Sequence, residues 1–283
     1  MVQKILRSEL AEAKKKAKMN QQITDACHFL EDVDEAIRKH GPDNVYNLDE
    51  KPVSGAPSSV SSFQIMGEPT ENIHSIGSPY RIMTAVVNTA ASGRKLFILF
   101  LKKGELKTCA SFKAFKNNVT LYSNELDLTP KGWMNEPTML KYLDMFIANI
   151  PHRPCTLILD HYGSHWTAPV LQRAKELQID IILVPKTMTD ELQPLDVGVF
   201  GCLQGMTDAD WENEESEIDY MNRFQRSYQE LSASIIQKAF AKALDIPLDA
   251  MQVSNPSPAA QALNSVDSSF QYAMHDLQQR GSL

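Results

Sequence analysis

The amino-acid sequence predicts an α/β fold, a mixed sheet flanked by helices, and three observations carry that prediction. Two β-rich runs, Arg81–Asn88 and Lys95–Leu101, are joined by a turn at Ala91-Ser-Gly93, the pattern of an antiparallel hairpin. Two further runs, 156–159 and 181–184, are continuously apolar and flank a helical stretch, as parallel strands buried on both faces do. Apolar residues recur at helical spacing in the first 40 residues and again between Glu136 and Ile150. With 283 residues, 43% hydrophobic and 22% charged, the chain has enough material for one large or two modest domains.

Taken in order, residues 1–40 are rich in Ala, Lys, Glu, Gln and Leu. Phe29, Leu30, Val33 and Ile37 share a helical face, and Gly41-Pro42-Asp43 stops the helix. Val45-Tyr-Asn-Leu-Asp49 is a short strand ending in a carboxylate. Residues 51–79, dense in Pro, Gly and Ser, predict an irregular excursion with a strand near Phe63–Met66. After the hairpin, Met139, Leu140, Leu143, Phe146, Ile147 and Ile150 mark one helical face, ended by Pro151 and Pro154. Cys155–Asp160 predicts a strand, about 168–178 a helix, Asp180–Val184 a second strand, and Leu231–Ala243 a last helix. Residues 251–283 are Ser, Gln, Asn and Pro rich and predict a disordered tail. The expected division is therefore an N-terminal helical segment at 1–40, a main domain at 41–250 and the tail.

The formal charge is −7, unevenly placed. Residues 204–230 hold two basic and eight acidic residues, a balance of −6, most of it between Asp208 and Asp219. That run predicts an insertion-like solvated loop or helix face. The longest apolar run, Leu96–Leu101, is far below the roughly 20 residues of a membrane span, and the basic N-terminus meets no apolar stretch of the kind a secretory signal has. Cys27, Cys109, Cys155 and Cys202 are dispersed, with no CxxC pair, which fits a reducing intracellular compartment. No membrane association is expected.

Three aspartates carry the chemistry. Asp49 and Asp160 each end a predicted strand, where sites assemble in open α/β sheets, and Asp196 lies just past the last strand in Leu192-Gln-Pro-Leu-Asp196-Val-Gly198. Taken singly, each is as well explained as a turn or helix cap. Three carboxylates brought together repel one another and persist ionised only with cations among them. All-oxygen ligation favours Mg²⁺ or Mn²⁺. Asp190 and Glu191 rival Asp196 but lack its flanking Gln-Pro-Leu. His161 and His165, four apart, have Gly163 between them and no third ligand at matching spacing, so zinc is not expected; His165 is expected to order the loop beside Asp160. Trp133, Trp166 and Trp211 are expected to be packing residues.

Leu157-Ile-Leu-Asp160-His-Tyr-Gly-Ser-His165, followed after 35 residues by Asp196 in Leu192-Gln-Pro-Leu-Asp-Val-Gly-Val-Phe200-Gly, resembles the catalytic core of the pogo/Tigger-like DDE superfamily of transposases. Val45-Tyr-Asn-Leu-Asp49-Glu-Lys51 looks like the family's first catalytic block, and Gly132-Trp-Met-Asn-Glu136 and Phe240–Pro247 fall where related blocks are expected. The resemblance implies an RNase H-like fold with a D-D-D triad: Asp49 bridging two ions (Mg2+ or Mn2+), and Asp160 and Asp196 each holding one. It implies an endonuclease that cleaves DNA phosphodiesters and joins strands by two-metal catalysis in the nucleus, as a homodimer or DNA-bound oligomer. The family's helix-turn-helix region has no counterpart in this sequence, so DNA is expected to be held locally or by a partner. The alternative is a catalytically silent nucleic-acid or protein-binding module that keeps the fold.

Overall fold

The computed structural model describes residues 2–54, 81–103, 125–209 and 217–251. The predicted strand near Phe63–Met66, Trp211, the densest part of the acidic run and the C-terminal tail lie outside the described residues. A long helix, α1 (Val2–His40), leads into a six-stranded sheet of β1 (Val45–Ser54), β2 (Arg81–Ala90), β3 (Leu99–Lys103), β4 (Glu125–Thr129), β5 (Cys155–Leu159) and β6 (Ile179–Leu183). The strand order is β4-β3-β2-β1-β5-β6. β1, β2 and β3 pair antiparallel, while β4 joins β3, β5 joins β1 and β6 joins β5, all three in parallel. This is the mixed sheet of the RNase H-like fold, with β1 inside it between β2 and β5.

Period-two alternation along the strands divides the apolar residues between two faces. Val45 and Val53 of β1, Ala85 and Val87 of β2 and Ile158 of β5 face one core, while Tyr46, Leu48, Val86, Leu157 and Leu159 face the other. The second face is covered by α2 (Glu136–Asn149), through Met139, Tyr142, Leu143 and Phe146, and by α3 (Ala168–Glu176), through Val170 and Ala174. Asn135 caps α2, its side chain accepting the Thr138 N–H at 3.0 Å. On the first face α1 lays down Phe29, Val33, Ala36 and Ile37, one helical stripe, all buried. Each such large apolar side chain taken from water stabilises by about 1.5–3 kcal/mol before ordering costs. The rest of this layer is a short helix α4 (Thr189–Leu192), a π-helical turn (Leu195–Val199), α5 (Phe200–Ala209), α6 (Glu217–Glu230) and α7 (Ala233–Leu244).

Two expectations need correction. β1 does not end at Asp49 but runs on through Pro52 to Ser54. β5 pairs with β1 only as far as Asn47, so beyond that point one edge of β1 faces no strand among the described residues, and a residue without an N–H fits there. The second hairpin strand begins at Leu99 rather than Lys95, which meets β2 through an isolated bridge to Thr89; β4 gave no periodic signal in its five residues. Just after the acidic run, whose last residue Asp219 is exposed, α6 buries Tyr220, Met221, Phe224 and Tyr228 at i, i+1, i+4 and i+8 in the first core, a stripe hidden in the sequence by the charges on its other face.

Candidate active site

Parity fixes where the first two aspartates lie. Asn47, Asp49 and Lys51 share the face of Val45, and Asp160 shares that of Ile158, so all turn toward the layer of α1 and α4 to α7. The last β1–β5 pair is Asn47↔Ile158, and two more steps along both strands bring Asp49 level with Asp160. Asp49 is 7% exposed, and its Oδ1 accepts the Glu50 N–H at 2.7 Å.

Asp196 reaches the same place through the π-helical turn, and two side chains pin that turn to β1. The buried amide of Asn47 accepts the Leu195 N–H at 3.0 Å and donates to the Ile158 carbonyl at 3.1 Å, so one side chain ties β1, β5 and the turn together. Buried Gln193 donates to the Leu48 carbonyl at 3.1 Å. Gly198 leaves room for α7 behind the turn: a Cβ there would stand 2.8 Å from Ala239 Cβ. The Gln-Pro-Leu-Asp-Val-Gly string thus combines a tether, the carboxylate and a packing notch.

The Asp49 and Asp196 carboxyls act directly on each other. Burial, then the charge of Asp196, raises the Asp49 carboxyl well above the usual carboxylate range; burial and Asp190 raise Asp196. Two carboxyls buried this way oppose each other's ionisation, and a cation between them removes that penalty. Lys51 supplies compensating charge: its Nζ lies 5.4 Å over the Phe200 ring, burial lowers its pKa, and Asp196, Asp208 and Asp49 act to raise it.

Asp160 is held differently. After β5 the chain makes a single 3-10 turn, Gly163–His165, which brings the His165 ring into the space beside β1 that β5 vacates. His165 Nδ1 meets Asp160 Oδ1 at 2.6 Å and Nε2 meets Glu50 Oε1 at 3.1 Å. Ionised carboxylates only accept, so both ring nitrogens carry protons and the ring is an imidazolium. Burial alone would lower its pKa, but the bonds to Asp160 and Glu50 outweigh that and hold it at about 9. Reciprocally, burial raises the Asp160 carboxyl, yet the His165 hydrogen bond brings it below the usual range. Glu50 also accepts the Met134 N–H at 3.3 Å, drawing in the loop that carries Trp133.

The three predicted aspartates therefore meet on one face and act on one another electrostatically. As they stand, no three His, Cys, Asp or Glu side chains among the described residues are arranged to hold an ion, and Asp160 is engaged by His165. The donor set still suits a hard divalent cation: all oxygen, three carboxylates, and an Asp49–Asp196 pair whose mutual repulsion a cation would relieve. His165 orders the loop beside Asp160 as expected, and His161 instead donates its Nδ1–H to the Val184 carbonyl at 2.7 Å. Trp133 and Trp166 are not packing residues in the sense expected, being 45% and 41% exposed. Sequence reasoning missed Asn47, Glu50 and Gln193. Asn47 was detectable, as a polar residue on the buried parity of an apolar strand.

The sequence pattern of the DDE superfamily endonucleases matches residues 81–245, which include Asp160 and Asp196 and leave Asp49 outside. Over 171 residues the chain is 25% identical to the pogo transposable element with KRAB domain of Homo sapiens and to that of Mus musculus, covering 59% of this chain and 27% of each relative. It thus spans about a quarter of the length of these curated relatives. Among solved structures, the Mos1 strand transfer complex superposes with a TM-score of 0.54 at 16% identity, over 80% of this chain and 59% of that one. The Mos1 mariner paired end complex with Mn gives 0.51 at 17%, over 80% and 60%. At that identity the likeness concerns the fold, the same RNase H-like sheet and helices. A matched pattern over more than half the chain, on that fold, places the chain in the family of DDE superfamily endonucleases.

Proposed function

We propose that this domain cleaves DNA phosphodiesters and transfers strands, with Asp49, Asp160 and Asp196 as its catalytic carboxylates and Mg²⁺ or Mn²⁺, two ions, as cofactor. The observation that supports it most is the convergence of these carboxylates on one face, with Asp49 buried and raised by its neighbour's charge. In an endonuclease family, such stored repulsion is a reason to bind cations rather than a structural convenience. The solved relatives include a strand transfer complex and a paired end complex with Mn, which lends the reading further support.

Asp49 and Asp196 would ionise and, with Asp160, ligate the ions. Bound there, divalent ions supply Lewis acidity for activating water or a DNA 3′-hydroxyl and for stabilising the leaving oxygen. The chain's own part is positional. Asn47 and Gln193 set the height of Asp196 against β1, His165 and Glu50 set the rotamer of Asp160, and Lys51 offers positive charge beside the carboxylates for a nearby phosphate. DNA is the partner in this reading, the nucleus the compartment, and a dimer or DNA-bound oligomer the assembly that joins two ends.

The test is nicking of labelled DNA by the purified chain with Mn²⁺, beside Asp160→Ala. Metal-dependent nicking that disappears in the variant is the expected result. Nicking that survives the substitution overturns the assignment, and DNA binding without nicking in any divalent metal identifies a catalytically silent module on the same fold.

A further inference from the structure

A cleft of about 260 Å³ opens directly beside Asp160. One wall is Asp160-His161-Tyr162, following β5; the other runs from Val184 through Lys186 to Thr189, following β6. Its size is just under the ≈300–1,000 Å³ of typical small-molecule sites, room for one nucleoside and not for a base pair. A cleft of about 210 Å³ between α3 and the start of β6 includes none of the carboxylates discussed above.

The walls are built rather than incidental. His161 donates across the cleft to the Val184 carbonyl and so fixes the separation of the two strand ends, while its ring meets Trp166 edge to face at 5.9 Å. Tyr162 rests on His165 in the same way, centroids 5.6 Å apart, which holds its ring while 42% of the residue stays exposed. Opposite, Thr187 sits at φ 67°, a backbone region costly for a β-branched residue, and its hydroxyl accepts from Gln22 of α1 at 2.8 Å. Lys186, next to it, is exposed at the cleft.

We propose that this cleft seats the nucleoside adjoining the scissile phosphate, with the Tyr162 ring stacked on its base and the Lys186 ammonium against its own phosphate. The juxtaposition carries the chemistry: a held, exposed aromatic ring and a cation line one small cavity whose third side is a carboxylate of the acid site. A base enters it only out of the duplex stack, so the cleft favours an unpaired nucleotide at a frayed or nicked end. The cleft has this role only if DNA is the substrate, as proposed above.

The full chain without divalent metal is titrated with a fluorescein-labelled single-stranded oligonucleotide, and with a nicked duplex carrying 2-aminopurine unpaired at the nick. Stacking quenches 2-aminopurine in the wild type and in Tyr162→Phe. Tyr162→Ala is expected to lose the quench and to bind single strands about 5- to 100-fold more weakly. Lys186→Gln is expected to keep the quench and to flatten the slope of log K against log[salt] by about 0.7–0.9. If the wild type binds DNA and both variants match it in affinity, quench and slope, the cleft assignment is overturned while the proposed DNA chemistry stands. If the wild type binds no DNA at all, both fall.

Discussion

Asp49 and Asp160 stand level on neighbouring strands, yet their carboxylates live under opposite electrostatic conditions. Asp160 is matched by a buried imidazolium that it shares with Glu50, and its pKa falls. Asp49 is buried beside Asp196, and its pKa rises. One half of the acid cluster is satisfied by the chain itself. The other is a deposit of negative charge that the fold holds at a cost, and demand for an added cation concentrates there. A site with both halves matched by side chains would have no call for metal, and one with neither matched would be harder to fold.

The contrast can be broken at each half. The largest effect is expected on the unmatched side: Asp49→Asn or Asp196→Asn should lower the Mn²⁺-dependent nicking rate by at least about 10³-fold, measured on labelled DNA under single-turnover conditions. On the matched side, His165→Ala leaves two carboxylates facing each other without their cation. Removing one partner of a buried pair costs about 3–5 kcal/mol, and the partial exposure of Asp160 reduces that to about 2–4 kcal/mol, read by urea denaturation. The pH dependence follows from the sign of the shift. His165 is raised from about 6.5 to about 9, so its contribution is whole below pH about 6.5 and is lost as pH rises through about 9. The stability gap between the metal-free wild type and His165→Ala should therefore narrow between pH 7 and 10.

Behind the unmatched pair, Gly198→Ala forces a Cβ against Ala239 and should destabilise by about 1–3 kcal/mol, with Ala239→Gly in the double variant recovering most of it. The smallest effect has the opposite sign. Because the fold raises the Asp49 pKa, stability of the metal-free protein falls as pH climbs from the ordinary carboxylate range through the folded value. Asp49→Asn removes that loss, so at neutral pH its metal-free Tm should exceed the wild type's, by roughly 2–4 °C for each kcal/mol regained. A lower Tm would mean that the pair is stabilising as it stands.

Much of the sheet was legible because its strands carry plain signals: continuous apolar runs at 156–159 and 181–184, and a glycine turn between β2 and the run that leads to β3. The same reasoning failed where two requirements overlap in one segment. Pro52 hid the last residues of β1, since a proline reads as a break unless the open edge beside it is known. In α6 the acidic face outweighed the Tyr220, Met221, Phe224 and Tyr228 stripe. The meeting of Asp49, Asp160 and Asp196 on one face matches what their strand and turn positions predict. The bridge of His165 to Glu50 did not follow, because it joins residues 115 apart through a ring that fills the gap where β5 stops.

The most direct test of the central claim is Mn²⁺ binding measured without DNA, by electron paramagnetic resonance or calorimetry, on the wild type, Asp49→Asn and Asp196→Asn. The expected result is saturable binding by the wild type, with proton release as the raised Asp49 carboxyl ionises, and at least tenfold weaker binding by either variant. Equal Mn²⁺ affinity in all three proteins, or binding that releases no proton, would contradict the claim that the Asp49–Asp196 pair is where the cation is held.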